Sequence, residues 1–297
     1  MDQPKTTHRF ASLNVRSAVT DHIKFVVSSY FSQINVDLAF VQETLLPGRI
    51  ENQEWGNEYV FSGMGPPPKS NPPRGGVGFV YHPSRITLVP RTLGCFSNRI
   101  VCAKFLPKDG ISAPFIAVSV YSPTESASDQ DLLDFYIDLS TTLTELRHVY
   151  KNLFIYIAGD FNCNFGKDAL KSARVRYVTA EAPEVSSRNA KSVLEFAESY
   201  SLVIHNLDWS IPDFKRVTWV HPRTKAAHIK DLLLTSRNCR AQVKTFTSLR
   251  MLNKMDHKAI FWVLNVNHPR FKKLQAPPAR RQQPTPIRDT EPGRKPP

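Results

Sequence analysis

Leu153-Phe154-Ile155-Tyr156-Ile157-Ala158-Gly159-Asp160-Phe161-Asn162 is the stretch on which the reading of this chain turns. An apolar run closed by turn residues reads as a buried strand. Its C-terminal edge puts Asp160 and Asn162 together on a loop, where two residues one apart in extended backbone point the same way. A carboxylate and an amide converging there can activate a water and hold an oxyanion. Gly, Asp and Asn also end strands as ordinary turn residues. The stretch therefore takes its meaning from the rest of the chain.

The chain has 297 residues and is 41% hydrophobic, enough for a substantial core and for one large domain or two small ones. Its 39 basic and 26 acidic residues give a formal charge of +13, which favours a polyanionic partner such as nucleic acid or an anionic membrane surface. The excess is uneven, because residues 268–297 hold eight Lys or Arg against two acids. Cys95, Cys102, Cys163 and Cys239 show no CxxC pairing and no ligand spacing with histidine, so they read as reduced, buried thiols of an intracellular protein. The N-terminus is polar and no apolar run approaches the length of a membrane span, which points to a soluble chain that is not secreted and has no membrane role.

Outward from the key strand, apolar runs and periodicities alternate. Residues 10–15, 36–41, 77–81, 100–105, 115–121 and 153–158 read as strands. Ile23, Val26, Val27, Tyr30, Phe31 and Ile34 fall at helical spacing over 21–34. Over 129–150 the clearest helix carries Leu132, Phe135, Leu139, Leu143, Leu146 and Tyr150 on one stripe. A Pro- and Gly-rich loop covers 63–75, and a polar loop precedes a helix near 190–201. Short strands are expected at 203–206, 217–220, 231–235 and 260–266. Interleaving without a linker predicts a single α/β domain over 1–267, followed by a basic, Pro-rich disordered tail over 268–297, whose eight prolines cannot build a core.

Several polar residues share one habit: each sits at a strand end. Asn14 lies in Leu13-Asn14-Val15, Glu43 follows an apolar run, Asp160 and Asn162 follow the key strand, and Asp256-His257 precede Ala259–Leu264. Strand ends of a sheet stack gather at one rim, where sites form. Mg²⁺ takes hard oxygen ligands and needs only one or two carboxylates plus a substrate phosphate. Glu43 and Asp256 can supply those carboxylates, with Asn14 as a nearby amide. Asp160 would take the proton from the attacking water and Asn162 would orient it. His257 would donate to the phosphoryl oxygen, with Asp231 holding its other nitrogen, and Tyr121 would contact the leaving oxygen or a phosphate. Arg99, ahead of an apolar strand, could bind phosphate but reads first as an exposed arginine, and Trp219 as a residue that could line the cleft.

Leu13-Asn14-Val15-Arg16, Gln42-Glu43-Thr44, Gly75-Gly76-Val77-Gly78, Tyr121-Ser122-Pro123, Gly159-Asp160-Phe161-Asn162, Thr218-Trp219 and Asp256-His257 occur in the order seen in the endonuclease/exonuclease/phosphatase superfamily, which the chain resembles from about residue 8 to 266. Within it the chain looks most like LINE-retrotransposon endonucleases and craniofacial development protein 2-like proteins, through Ser187-Arg188-Asn189-Ala190, Leu194-Glu195-Phe196-Ala197, residues 201–206 and residues 218–222. The resemblance implies a four-layered α/β sandwich with two packed β-sheets flanked by helices, and a divalent-metal phosphodiesterase site at one end. On it, Asn14, Glu43 and Asp256 are the metal-side residues, Thr218 is a substrate-phosphate contact, and Tyr121, Asp160, Asn162, Asp231 and His257 are catalytic. Two positions depart from the pattern. Met255 stands where the family has Ser, and Lys230 stands at an apolar position, placed to alter strand packing or to pair with Asp231.

The expected activity is cleavage of nucleic-acid backbone by a monomer using Mg²⁺ or Mn²⁺, as an endonuclease of retrotransposon descent. DNA is favoured over RNA, with nuclear residence if DNA is the substrate. The alternatives are a phosphatase or lipid phosphodiesterase of the same fold, and a catalytically silent nucleic-acid-binding module.

Overall fold

A computed structural model of the chain describes residues 7–68, 75–208, 211–240, 243–249 and 256–265. The expectations for the tail 268–297, for Met255 and for the middle of the Pro-rich loop fall outside the described residues.

The first half runs β1 (Thr7–Asn14), α1 (Asp21–Gln33), β2 (Leu38–Gln42), β3 (Arg49–Trp55), β4 (Tyr59–Met64), β5 (Val77–Tyr81), β6 (Ile86–Leu88), β7 (Gly94–Ser97), β8 (Ile100–Pro107), β9 (Phe115–Tyr121) and α2 (Asp129–Val149). The second half runs β10 (Phe154–Asp160), α3 (Arg188–Ser199), β11 (Leu202–Ile204), α4 (His205–Asp208), α5 (Asp213–Arg216), β12 (Trp219–Val220), β13 (Ala227–His228), β14 (Asp231–Ser236), α6 (Arg237–Arg240), β15 (Val243–Leu249) and β16 (Ala259–Asn265).

Two large sheets result. The first has the order β15-β16-β1-β2-β5-β4-β3 and the second β11-β14-β10-β9-β8-β6, with β7 pairing to β8. Each contains one parallel pair bridged by a helix: β1 and β2 through α1, β9 and β10 through α2. Parallel neighbours need such a crossover, because a tight turn can join only antiparallel strands.

Three apolar layers make this a four-layered sandwich. Phe10, Phe40, Phe79, Phe105, Tyr156 and Trp262 meet between the sheets. α1 covers the outer face of the first sheet with Val27 and Phe31 against Leu13, Ala39 and Val41. α2 and α3 cover the outer face of the second, where the expected stripe Leu132, Phe135, Leu139, Leu143 and Leu146 is buried. Each such side chain contributes roughly 1.5–3 kcal/mol by leaving water. α2 starts in a capping box, the Ser128 hydroxyl accepting from Asp131 N–H while Asp131 accepts from Ser128 N–H, both at 3.1 Å.

The sequence reading differs from the structure where polarity hides a strand. β3 (RIENQEW) is exposed along almost its whole length, because it is a sheet edge with no apolar face to show. Residues 205–206, expected as strand, instead begin the helical turn α4: the Asn206 amide donates to Asp231 O at 2.9 Å and accepts from Leu233 N at 3.1 Å, and so binds to β14 by its side chain. No helix among the described residues is long and apolar enough to cross a membrane.

Candidate active site

Strand register builds half of the site. Asp160, the last residue of β10, lies opposite Tyr121 of β9 on one side and Asp231 of β14 on the other, so three of the singled-out residues form one row across the second sheet. Gly159 permits the row, since a Cβ there would lie 1.9 Å from the Val120 carbonyl oxygen. The first sheet supplies the other half. Asn14 ends β1, Glu43 follows β2, and Asp256-His257 precede β16. Glu43 and Arg16 adopt positive φ (52° and 59°), turning the chain sharply at the rim. Thr44 N–H donates to Gly76 O and Leu45 N–H to Gly75 O, at 3.1 and 3.2 Å, so the Gly75-Gly76 pair straps the Glu43 loop down.

The halves meet through contacts between the sheets. Asn14 Nδ2 donates to Glu43 Oε1 at 2.8 Å and to Asp160 Oδ2 at 3.0 Å. His257 Nδ1 donates to Asp231 Oδ2 at 3.0 Å, while its Nε2 lies 3.8 Å from Asp160 Oδ2. That gap is too long for a hydrogen bond, yet short enough for both groups to address one small atom group. One layer below, Gln42 Nε2 reaches Ser12 and Ser119 at 3.2 and 3.3 Å, a polar rung joining β2 to β9 inside the core.

Burial and clustered charge set the protonation states. Asp160 is 1% exposed. Desolvation first and the Asp231 charge second push its carboxyl up, against the opposing pull of His257, Asn162 N–H and Asn14. For His257, burial pulls the imidazole down, but Asp231, Asp160 and Asp256 together outweigh it and hold the ring at about 9. Burial raises the Tyr121 phenol, and the charges of Glu43 and Asp160 raise it further.

Two residues, Asn162 and Thr218, are arranged otherwise than the sequence reading assigned them. Asn162 has φ 48°, a left-handed turn rather than extended backbone, so its side chain does not run alongside that of Asp160. Instead its backbone N–H donates to Asp160 Oδ1 at 2.8 Å and its Nδ2 to Ser122 O at 2.9 Å. Thr218 is fully buried and its hydroxyl accepts from Lys230 N–H and Asp231 N–H, both at 2.9 Å. These bonds hold the Asp231 backbone and turn the hydroxyl inward, away from the phosphate contact expected of it. Asp256 sits at the rim, its Oδ1 3.4 Å from Arg16 Nη1 and its Oδ2 accepting from Trp219 Nε1 at 3.2 Å. Lys230 does not pair with Asp231 among the described contacts; its ammonium lies 3.8 Å from the Trp219 ring centroid.

Some participants were not foreseen. Arg99, taken for an exposed arginine, is half-buried with its guanidinium 5.2 Å from the centre of the Tyr121 ring and donates to Tyr121 O at 3.2 Å. Arg16 and the Trp219–Lys230 stack complete the rim. Arg16 closes the Leu13–Arg16 motif, and its proximity to Asp256 gives it a place at the rim.

The donor chemistry suits a divalent cation. Glu43, Asp160, Asp231 and Asp256 bring four carboxylates to one end of the sandwich, and the buried Asp231 Oδ1 has no hydrogen-bond partner among the described residues. Asp160, Asp231 and His257 could themselves hold a metal, with ligand atoms all within 4.8 Å of one another. The Asp231–His257 hydrogen bond already occupies Nδ1, however, which leaves Glu43 with Asn14 and Asp256 as the more open oxygen set.

No family model matches the chain. Craniofacial development protein 2 of Bos taurus is 24% identical over 245 residues, 81% of this chain. The chain spans 38% of that relative's length. Among solved structures, an AP endonuclease, LMAP, from Leishmania major superimposes with a TM-score of 0.65 at 15% identity, over 91% of this chain and 90% of that one. A 3′ phosphatase, NExo, from Neisseria, bound to a product DNA hairpin, gives 0.60 at 16% identity, over 86% and 98%. The endonuclease domain of TRAS1, a telomere-specific non-LTR retrotransposon, gives 0.55 at 9% identity, over 89% and 100%. The chain has the endonuclease/exonuclease/phosphatase fold.

Proposed function

We propose that the chain is a Mg²⁺-dependent phosphodiesterase that cuts the DNA backbone, an endonuclease of retrotransposon descent. The observation that carries this reading is the Asp231–His257 pair set 3.8 Å from Asp160, beside Asn14, Glu43 and Tyr121. Two structural neighbours are endonucleases by name and a third holds a product DNA hairpin, which supports a nucleic-acid substrate over a lipid or inositol phosphate. The formal charge of +13 supports it too, since phosphate neutralisation supplies most non-specific affinity.

In this reading Asp160 is the base. Asn14 and the Asn162 N–H fix its two oxygens, and its raised pKa makes the ionised form a better proton acceptor from water. Below about 9, His257 is an imidazolium whose Nε2 donates to the non-bridging oxygen as negative charge builds there. Asp231 fixes the ring's orientation and stabilises its charge. Tyr121, held protonated, donates to the leaving side, with Arg99 stacked against it. Glu43, Asn14 and Asp256 would hold Mg²⁺, which when bound polarises the phosphoryl oxygen and offsets charge on the leaving oxygen.

The test is incubation with supercoiled plasmid, a 3′-phosphorylated oligonucleotide and inositol polyphosphate, each with Mg²⁺ or EDTA. Metal-dependent nicking, lost in Asp160→Ala and His257→Ala, supports the proposal. Phosphate release with the plasmid intact overturns it in favour of a phosphatase. Plasmid binding with no turnover on any substrate overturns it in favour of a silent binding module.

A further inference from the structure

The Ser187-Arg188-Asn189 stretch resembles its relatives in sequence, yet no step above uses it. The structure places these residues at the head of α3, underneath two loops of the site. Ser187 caps the helix, accepting from Ala190 N–H at 3.3 Å, and also accepts from Asn164 N–H at 3.1 Å; its own N–H donates to Asn164 O at 2.9 Å. Asn189 is fully buried, and its Nδ2 donates to two carbonyls at once: Pro123 O at 2.7 Å and Asn162 O at 3.1 Å. Arg188 reaches Glu125 O and Ala127 O at 3.3 and 2.9 Å and also pairs with Asp129.

These bonds run to two separate segments. Residues 122–129 follow Tyr121, and residues 160–164 carry Asp160 and Asn162. The segments also hold each other directly, through Ser122 N–H to Asp160 O at 2.8 Å and Asn162 Nδ2 to Ser122 O at 2.9 Å. Asn189 closes this ring from below. The amide is not arranged for its own satisfaction: Oδ1 is buried with no hydrogen-bond partner among the described residues. A buried acceptor left unpaired is a cost that folding alone would select against, and such costs collect where geometry serves a site.

We infer that Asn189 is a positioning residue: with Arg188 and Ser187 it locks the Tyr121–Pro123 segment to the Asp160–Asn162 segment, and so sets the distance between base and tyrosine. The inference rests on the proposed reaction for its catalytic consequence, but not for its structural one.

The experiment compares wild type with Asn189→Ala, the isosteric Asn189→Asp and Arg188→Ala. Asn189→Asp keeps the volume but turns an oxygen toward both carbonyls. Hydrogen exchange is the first readout, since opening of a local unit shows as faster amide exchange. Faster exchange is expected at the amides of Ser122, Asn162 and Asn164 in both Asn189 variants, with β15 and β16 unchanged. Arg188→Ala, a half-exposed site that should fold in any case, should speed exchange over 125–129 and leave 160–164 protected. Plasmid-nicking kinetics are the second. A fall in kcat of about tenfold or more with KM little changed is expected for the Asn189 variants, because small misplacements of reacting groups cost that much. Exchange at 122 and 160–164 unchanged in Asn189→Asp, or kcat unchanged despite faster exchange, overturns the inference. If wild type proves inactive, the proposed function fails while the exchange pattern still decides the clamp.

Discussion

Asp231→Asn isolates the contribution of one buried charge, at constant shape, to the histidine it faces. In the native protein His257 stands at about 9 although burial alone pulls it down. Lifting a histidine from 6.5 to about 9 corresponds to about 3 kcal/mol of preference for the imidazolium. Among the groups that raise it, Asp231 is foremost, through its charge and through its 3.0 Å hydrogen bond. With a neutral amide in its place, burial is opposed only by the smaller contributions of Asp160 and Asp256, and the ring should titrate far lower, back toward its ordinary value. At pH 7.5 the wild-type ring is about 97% protonated, whereas a ring at the ordinary 6.5 is about 10% protonated. The assay is NMR titration of the His257 ring in metal-free protein, with urea unfolding at several pH values beside it. Because the folded value is raised, this histidine's contribution to stability is complete below pH 6.5 and is lost as pH rises through about 9. That slope should vanish in Asp231→Asn, and nicking at pH 7.5 should fall with the imidazolium population. A His257 that still titrates above 8 in the variant refutes the assignment of Asp231 as its partner.

Three further outcomes follow from the same structure. Gly159→Ala drives a methyl against the Val120 carbonyl at 1.9 Å and should cost about 1–3 kcal/mol or more in urea unfolding; a loss below half a kcal/mol would mean that β9 and β10 adapt freely. His8 is buried between Asp37 (3.4 Å), Asp109 (3.1 Å) and Ser112 (3.0 Å), where burial lowers its pKa but the two aspartates raise it further. Its stabilisation is therefore present below pH 6.5 and declines as pH rises through its elevated value, and His8→Gln should flatten that part of the stability–pH curve, as urea unfolding across pH would show. Lys230→Ile removes the ammonium from the Trp219 face, which should change the indole emission and cost about 0.5–1 kcal/mol unless the apolar side chain packs better.

What the chain made legible was whatever repeats or clusters along it. The stripe of α2 and the apolar runs of β5, β9 and β10 could be read because burial imposes a period. β3 could not, since an exposed edge strand need not be apolar. Nor could β13, which is two residues long and pairs only with the equally short β12 that was expected within 217–220. At the site, residue types were readable and directions were not. Asp160, His257, Asp231, Asn14 and Glu43 converge as their chemistry suggested. Asn162 defeated the extended-backbone argument because an asparagine can take a left-handed turn that most residues avoid. The family resemblance alone makes Thr218 a phosphate contact, and its hydroxyl here accepts from two backbone N–H groups. Arg99 and Asn189 were visible in the sequence without their roles, which arise from pairings more than twenty residues away in the chain.

Tyr121, Asp160 and Asp231 stand on one sheet and Asn14, Glu43 and His257 on the other, so the aromatic layer between the sheets works as the spacer of the reactive groups. Drift at Phe10, Tyr156 or Trp262 would reach the site as a change in the base-to-acid gap long before the chain unfolded. For such a protein, core substitutions tolerated by stability are still filtered by turnover.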